Sequence, residues 1–438
     1  QYLCVGPDCP EPCHTVCPVE ALSLKKNPDF EVLGDFRWTA DLLASTWHMA
    51  EFGEVPPAGL EYKIGASSGG FDKLRLIFRK DSAAGGGDAQ KPDDTVDLGV
   101  DLNRRNDNAH KIKIALPFYG GGMSYGSVSI TTMLSRIKAA AMLGTFCCTG
   151  EGGYPDELKP YDGHVITQVA TGLFGVREET IKRVKIVEFK YAQGAKPGLG
   201  GHLLGDKVTP GVARMREAVV GYPLFSPFPF HSVYSVEDHK KHVDWIKAVN
   251  PRALVSVKVS TPTDVDMVAV GSYYAGAHII HLDGSYGGTG AAPEIAKKNI
   301  AMPLEYALPK VHRFLKEEGV RGKITVIASG GIRTPHDVAK IIALGADGVC
   351  TGTADLVALE CVRCHNCESG RGCARGIATT DAELMTLIEF EWGTQRIVNM
   401  FLAWRKELAR ILKRLGMTSI RELVGRTDCL VHLDYMKS

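Results

Sequence analysis

Lys323-Ile-Thr-Val-Ile-Ala-Ser-Gly-Gly-Ile-Arg-Thr-Pro335 reads as a strand, a glycine elbow and the start of a helix. The run Lys323–Ala328 is almost wholly apolar, as a parallel strand buried on both faces is. Gly330 and Gly331 let backbone approach a ligand, Thr334 suits an N-cap and Pro335 a first helical turn. Free N–H groups there form an anion site fit for a phosphate, and Arg333 adds a charge-assisted contact. The same grammar repeats outward along the chain. Strands are expected at Ile112–Leu116, Thr145–Cys148, Val165–Val169, Val184–Lys190, Ala253–Val259, Ala277–Leu282 and Gly348–Thr351. Helical periodicity falls between them at Ile130–Met142, Val236–Val249, Pro303–Glu318 and Pro335–Leu344. Eight strands with intervening helices predict an α/β fold, a (β/α)8 TIM barrel over 111–358. An open doubly wound sheet fits less well, because no G-x-G-x-x-G opens a helix after the first strand.

The flanks extend the barrel. Residues 1–110 form an N-terminal extension: a Cys-rich segment 1–20, a helix 39–52 with Thr39 as N-cap, and a loop 82–108 opened by SAAGGGDAQKPDD. Residues 359–438 hold a cysteine loop and a helical tail, Ala382 to Leu415, stopped by Gly416. The piece Tyr191 to Arg252 is too long for one turn and helix, so it inserts over the barrel mouth. Lys+Arg 51 against Asp+Glu 50 gives a net charge of +1, which argues against a nucleic-acid or membrane electrostatic footprint. No apolar run reaches the roughly 18 residues of a spanning helix and no signal peptide is visible. With 12 cysteines in metal-type spacings, the expectation is a reducing, cytoplasmic setting. The 48 glycines of 438 residues, about 11 % against a usual ~7 %, gather in strand-end loops.

The densest cysteine group is Cys361, Cys364, Cys367 and Cys373, spaced C-x2-C-x2-C-x5-C. Packing uses cysteine singly, as a small hydrophobe, whereas four thiolates in one loop suit an iron–sulfur cluster or one zinc ion. The tight opening favours iron–sulfur, since zinc sites prefer two separated C-x2-C pairs. Near the start, Cys4, Cys9, Cys13 and Cys17 precede Pro18. A second cluster is one reading of that group; a ferredoxin remnant or loose thiols is the other.

Barrel chemistry gathers at the carboxyl ends of strands. Those ends carry Met123 and Ser124 after the first strand, Glu151 after the second and Gln168 on the third. Gln193 and Lys196 follow the fourth, Lys258 lies on the fifth, and Gly287 and Gly288 follow the sixth. Gly330, Gly331 and Arg333 follow the seventh, and Gly352 and Thr353 the eighth. Phosphate after the last two strands is a recurrent barrel feature. A phosphate-tailed cofactor beside an iron–sulfur centre points to FMN, because a flavin takes electrons singly and passes them on as hydride. Lys258 then steadies the reduced ring, or is paired with a buried carboxylate. Lys196 and Arg216 suit a dicarboxylate substrate. Glu151 moves a proton if an apolar setting raises its pKa, and each of these three has a structural ion pair as its alternative.

From about Lys111 to Thr427 the chain resembles the FMN-binding synthase domain of the glutamate synthase family. The resemblance rests on GGMSYGSVS, TGEGG, AQGAKPGLGGHLLGDKV, SPFPFHSVYS, VSVKV, YGGTGAAP, SGGIRTPHDV, GTADLVALE, the cysteine loop running into GIATTD, and GRTDCL. It implies an FMN barrel that reduces 2-iminoglutarate, formed from 2-oxoglutarate and ammonia, to L-glutamate. Electrons would arrive from a donor protein through the cluster and leave the flavin N5 as hydride. Gln193, Lys196, Arg216, Glu151 and His202 fall at substrate-side positions; Lys258, Gly330, Gly331, Arg333, Gly352 and Thr353 fall at flavin positions. The family's three-iron C-x5-C-H-x3-C pattern is altered: Ala358 stands at its first ligand, and Cys361 and Cys367 are extra, so four thiols favour [4Fe–4S] over [3Fe–4S]. His202 replaces a Gln and Phe230 a His, both expected on the acceptor side. The 438 residues hold no glutaminase domain, so the amine is expected to come from solution or from separate subunits. The chain is thus similar to the stand-alone large subunits of N-methylglutamate synthases, whose amine is methylamine; an ammonia-dependent or glutamine-dependent glutamate synthase subunit and a non-catalytic flavin and iron–sulfur electron-transfer subunit stay open beside it. Separate amidotransferase-like and glutamate-synthase-C-terminal-like subunits, an electron donor protein and an oligomeric enzyme are the partners implied.

Overall fold

The computed structural model describes residues 13–19, 21, 32–60, 70–78, 95–290, 300–367 and 371–435. Eight parallel strands close into a barrel: β1 (Phe118–Gly120), β2 (Cys147–Cys148), β3 (Val165–Ala170), β4 (Ile186–Lys190), β5 (Leu254–Ser260), β6 (Ile279–Asp283), β7 (Thr325–Ser329) and β8 (Gly348–Thr351). Each pairs with its neighbours in chain order and β8 returns to β1. Seven of the eight fall within two residues of their expected places. The first does not. Lys113–Ile114 pairs antiparallel with Val100–Asp101 in a hairpin outside the barrel, and β1 begins after Pro117. The alternation Lys-Ile-Lys-Ile is the mark of a half-buried strand, with Lys113 exposed and Ile114 buried, whereas a barrel strand is apolar on both faces.

Beyond the single turn Cys13–Val16, ten helices among the described residues position the rest: α1 (Ala40–Phe52), α2 (Ile130–Met142), α3 (Glu178–Arg183), α4 (Pro210–Arg216), α5 (Val236–Val249), α6 (Val265–Ala275), α7 (Leu304–Glu317), α8 (Pro335–Leu344), α9 (Thr353–Ala358) and α10 (Phe390–Leu415). Side-chain caps explain several starts. Ser129 accepts from Thr132 N, Ser235 from Asp238 N and Thr334 from Asp337 N, each satisfying a first-turn donor. Thr39 precedes α1 as expected but makes no side-chain cap bond. The tail helix starts later than expected. Asp381 Oδ1 accepts from the N–H groups of Glu383 and Leu384 and a short 3-10 turn, Leu384–Leu387, intervenes before α10. Gly416 ends it in a left-handed conformation.

α10 packs on α2 on one side and α1 on the other, so the tail and the N-terminal extension clasp each other outside β1. Leu74–Leu76 pairs antiparallel with Leu430–His432. Of the loop expected at 82–108, residues 82–94 lie outside the described residues, and the remainder contains the Val100–Asp101 strand. Between β4 and β5 a hairpin, His202–Leu203 with Leu224–Phe225, and α4 form the insertion. No described helix is long and apolar enough to cross a membrane.

His336 on α8 carries a pH consequence. Burial first, then the cations Lys340, Arg410 and Arg414, depress it to about 3, against ~6.5 in an unfolded chain. The unfolded state therefore binds a proton between those values that the folded state refuses, and stability falls as pH drops through that window. His336→Leu is expected to flatten the slope of urea midpoint against pH between about 6 and 4; an unchanged slope would assign the acid sensitivity elsewhere.

Candidate functional site

At the carboxyl ends of the strands lies a cavity of about 550 Å³. Its wall includes Met123, Ser124, Glu151, Gln168, Gln193 and Lys196, then His202, Lys258, Gly287 and Gly288. Gly330, Gly331, Gly352, Thr353 and the four cysteines Cys361, Cys364, Cys367 and Cys373 complete the same wall. Eighteen residues named from the sequence or from its family resemblance thus line one cavity. Arg216 and Arg333 stand behind the wall instead.

The glycine side is shaped by close approach. Gly330 has φ +107°, and a Cβ there would sit 2.6 Å from the Gly284 carbonyl oxygen. At Gly331, φ +86°, a Cβ would sit 2.8 Å from the Tyr286 Cβ. Both positions are closed to larger residues, so bare backbone faces the cavity. Arg333, expected beside a phosphate, is committed elsewhere. It donates from Nη2 to Asp72 Oδ1 at 2.6 Å, from Nε to Asp337 Oδ2 at 3.1 Å and from Nη1 to the Arg37 carbonyl at 3.1 Å. Its work is to seat the N-terminal extension on α8, which lets Trp38 and Tyr286 close that side of the cavity.

The opposite side is cationic. Lys190, at the end of β4, lies 3.3 Å from Glu151 Oε1, and Lys196 is buried close by. The apolar setting expected for Glu151 is not there. Burial would push its carboxyl up, but Lys190, Lys196 and Arg216 outweigh it and hold the group below the usual carboxylate range. Glu151 is an ionised acceptor at neutral pH, not a proton donor. Arg216 donates from Nη2 to Ser124 Oγ at 3.0 Å and the Tyr125 carbonyl at 2.9 Å, bracing the loop after β1. His202 stacks on Phe225 with centroids 4.7 Å apart and planes at 13°. Phe230 does not reach this wall: it is fully buried among Phe189, Tyr191 and His242, so its departure from the family pattern is a packing change.

Inside the barrel mouth, Lys258 is paired after all, 3.4 Å from Asp283 Oδ2. Asp283 also accepts from Ser329 Oγ at 2.6 Å and from Gly194 N at 3.0 Å. Burial depresses Lys258, but Asp283 and Glu188 more than restore its charge, so it stays an ammonium. Glu188, Lys190, His281, Asp283 and Ser329 were not singled out by sequence reasoning. The signal was there: Ile-Val-Glu-Phe-Lys places two charges two apart in a buried strand, hence on one face.

The cysteine loop follows α9. Three of its non-glycine residues hold left-handed backbone: Glu360 (φ 71°), Arg363 (φ 61°) and His365 (φ 62°). Such conformations persist only where surroundings impose them and cluster at functional sites. Asp35 is that constraint on one side, accepting from Arg363 Nε and Nη2 at 3.0 Å and lying 3.3 Å from His365 Nε2. Lys207 Nζ donates to the Cys367 carbonyl at 2.6 Å on the other. The four sulfurs share the wall without converging: among the described residues no three His, Cys, Asp or Glu side chains are grouped to hold a metal ion. Ala358 is buried in α9. Of the N-terminal group, Cys4, Cys9 and the Cys13 side chain lie outside the described residues, and Cys17 is half-buried.

The profile described as "Conserved region in glutamate synthase" matches residues 90–418. An archaeal-type glutamate synthase (NADPH) of Thermotoga maritima is 37 % identical over 441 residues, covering 95 % of this chain and 85 % of the relative. The archaeal glutamate synthase (NADPH) of Methanocaldococcus jannaschii is 44 % identical over 323 residues, 74 % of this chain and 63 % of that one. Among solved structures, the recombinant flavin-binding domain of baker's yeast flavocytochrome b2 superimposes with a TM-score of 0.50 at 16 % identity, over 89 % of this chain and 80 % of that domain. That last likeness is one of fold. The profile runs through all eight barrel strands and the cysteine loop, and the chain accordingly belongs to the glutamate synthase family and is an oxidoreductase.

Proposed function

We propose that this chain is the FMN-dependent synthase subunit of a glutamate synthase-type enzyme, reducing the imine of 2-oxoglutarate to a glutamate product. The observation that carries this reading is the polarity of one cavity: bare backbone at Gly330 and Gly331 on one side, Lys190, Lys196 and Glu151 on the other. The glycine side fits a flavin phosphate, since a Cβ at either position would collide with backbone or Tyr286. Lys258 fits the pyrimidine edge, where its ammonium offsets negative charge. Bound flavin supplies the electron pair as hydride. On the facing wall the Lys196 and Lys190 ammoniums take the substrate carboxylates. Ionised Glu151 accepts an N–H of the amine and so orients the imine, and the Gln193 amide adds a neutral hydrogen bond. Cys361, Cys364, Cys367 and Cys373 have the donor chemistry for a [4Fe–4S] cluster, which supplies electrons singly; closing a cage requires the loop to draw the thiols together.

The amine is proposed to be methylamine, giving N-methyl-L-glutamate, with ammonia as the second reading. His202 stacked on Phe225 offers an aromatic face to one methyl group where the family carries an amide. Amidotransferase-like and glutamate-synthase-C-terminal-like subunits, a donor protein and a cytoplasmic, oligomeric enzyme complete the proposal. The test is stopped-flow reoxidation of the reduced, air-free protein by 2-oxoglutarate with methylamine or with ammonia. Faster reoxidation with methylamine is expected; equal indifference to both amines would overturn the assignment. Gly330→Val is expected to lower the FMN recovered per chain by more than about tenfold, the strain and clash together exceeding ~2 kcal/mol; undiminished FMN in a folded variant would move the phosphate elsewhere.

A further inference from the structure

Behind Lys258 the barrel encloses a row of polar side chains that the proposed chemistry leaves unused. Ser329 Oγ lies 2.6 Å from Asp283 Oδ1 and 2.7 Å from His281 Nε2. His281 Nδ1 lies 3.0 Å from Glu188 Oε2. Glu188 also accepts from Ser256 Oγ at 2.9 Å and from Gln168 Nε2 at 2.8 Å. Glu188, His281 and Ser256 are no more than 1 % exposed, so around the ring the donors must match the acceptors, while Ser329 and Asp283 at the outer end line the cavity.

Counting hydrogens decides the arrangement. A serine hydroxyl has one hydrogen, and an ionised carboxylate has none. Asp283 faces the Lys258 ammonium and the Gly194 N–H, so it is ionised and can only accept. The short Ser329–Asp283 contact therefore uses the serine hydrogen, because two bare oxygens at that distance repel. Ser329 is then an acceptor toward the ring, and His281 Nε2 must carry a hydrogen. On the other edge, Glu188 already takes three donors, Ser256, Gln168 and, at 3.8 Å, the Cys148 thiol. A carboxylate with three donors is strongly favoured over its acid, so Nδ1 carries a hydrogen as well. Charges alternate along the row: Glu188 negative, His281 positive, Asp283 negative, Lys258 positive. Tyr119 stands edge-on to the ring with centroids 6.4 Å apart, and Lys258 is the register partner of His281 on β5, a like charge that the Asp283 and Glu188 carboxylates flank and offset.

We infer that His281 is a resident imidazolium, hydrogen-bearing on both ring nitrogens, and a positioning residue for Lys258 that acts through Ser329 and Asp283. Because His281 occupies the acceptor face of Ser329, the hydroxyl can point only at Asp283. One carboxylate oxygen is thereby spent, and the other is shared by the Gly194 N–H and Lys258, which is held at the cavity wall in a single place. A neutral ring would let the hydroxyl turn away, and the underfed Asp283 would draw Lys258 off the wall. The consequence for flavin rests on the function proposed above; the protonation of His281 does not.

Two measurements separate these. In protein labelled with nitrogen-15 at histidine, His281 is assigned as the resonances lost in His281→Gln, or moved in Ser329→Ala should the first variant not fold. At neutral pH both of its ring nitrogens are expected to be of the protonated type, and one pyridine-type nitrogen would overturn the inference. In a redox titration normalised to bound FMN, Ser329→Ala and His281→Gln are both expected to shift the flavin midpoint to more negative values. A midpoint equal to the parent's would remove the positioning role. Protein that never retains FMN would sink the proposed function instead, leaving the nitrogen spectrum to judge His281.

Discussion

Lys196→Met is expected to lower kcat/KM for imine-dependent flavin reoxidation by roughly 10²–10³-fold, while reduction of the bound flavin proceeds as in the parent. Lys196 is 2 % exposed, and a charged partner withdrawn from water costs about 2–5 kcal/mol when it is truncated. The fold should tolerate the change, because Glu151 keeps Lys190 at 3.3 Å as a counter-charge. Loss is expected in both terms, since a carboxylate clamp both binds the substrate and aims its imine carbon. If reoxidation by 2-oxoglutarate and amine is unaffected, the cationic wall is not the substrate site, and a subunit that only relays electrons becomes the better description.

The second large effect is on stability. Arg333→Leu takes from the carboxylates of Asp72 and Asp337, both about 3–4 % exposed, the guanidinium they share, leaving Asp337 the Lys340 ammonium at 3.8 Å. Removing one partner of a buried pair costs about 3–5 kcal/mol, so a clear fall in urea midpoint is expected with FMN retained by the folded fraction. Asp72→Asn in the Arg333→Leu background should recover part of the loss by removing one buried negative charge. The opposite pattern, an unchanged midpoint with FMN lost, would return Arg333 to the phosphate.

These two arginine and lysine residues show what a linear reading can and cannot reach. Both read as cations near strand ends, and on composition they are equivalent. Lys196 reaches the cavity because the turn after β4 points it inward, its N–H bonded back to the Gln193 carbonyl. Arg333 is diverted because Asp72, distant in sequence, arrives over α8. Glu151 is a parallel case: its acidity depends on Lys190 and Lys196, and no local pattern announces which cations surround a carboxylate. Phe230, a conspicuous departure in sequence, turned out to be core packing.

The sequence by itself determined the closed barrel, the edges of α2, α5 and α8, and the identity of the backbone-bare glycines. All of these follow from interactions within a few residues: apolar runs, caps and positive-φ positions. The three-dimensional fold alone decided that β1 is the three residues after Pro117, too short to carry any periodicity. It alone decided that Lys258 has Asp283 for a partner, that Arg333 serves the scaffold, and that Glu188 and His281 meet inside the mouth. Those outcomes depend on side chains brought together from separate strands, where charge and hydrogen-bond balance are settled by neighbours the local chain does not contain.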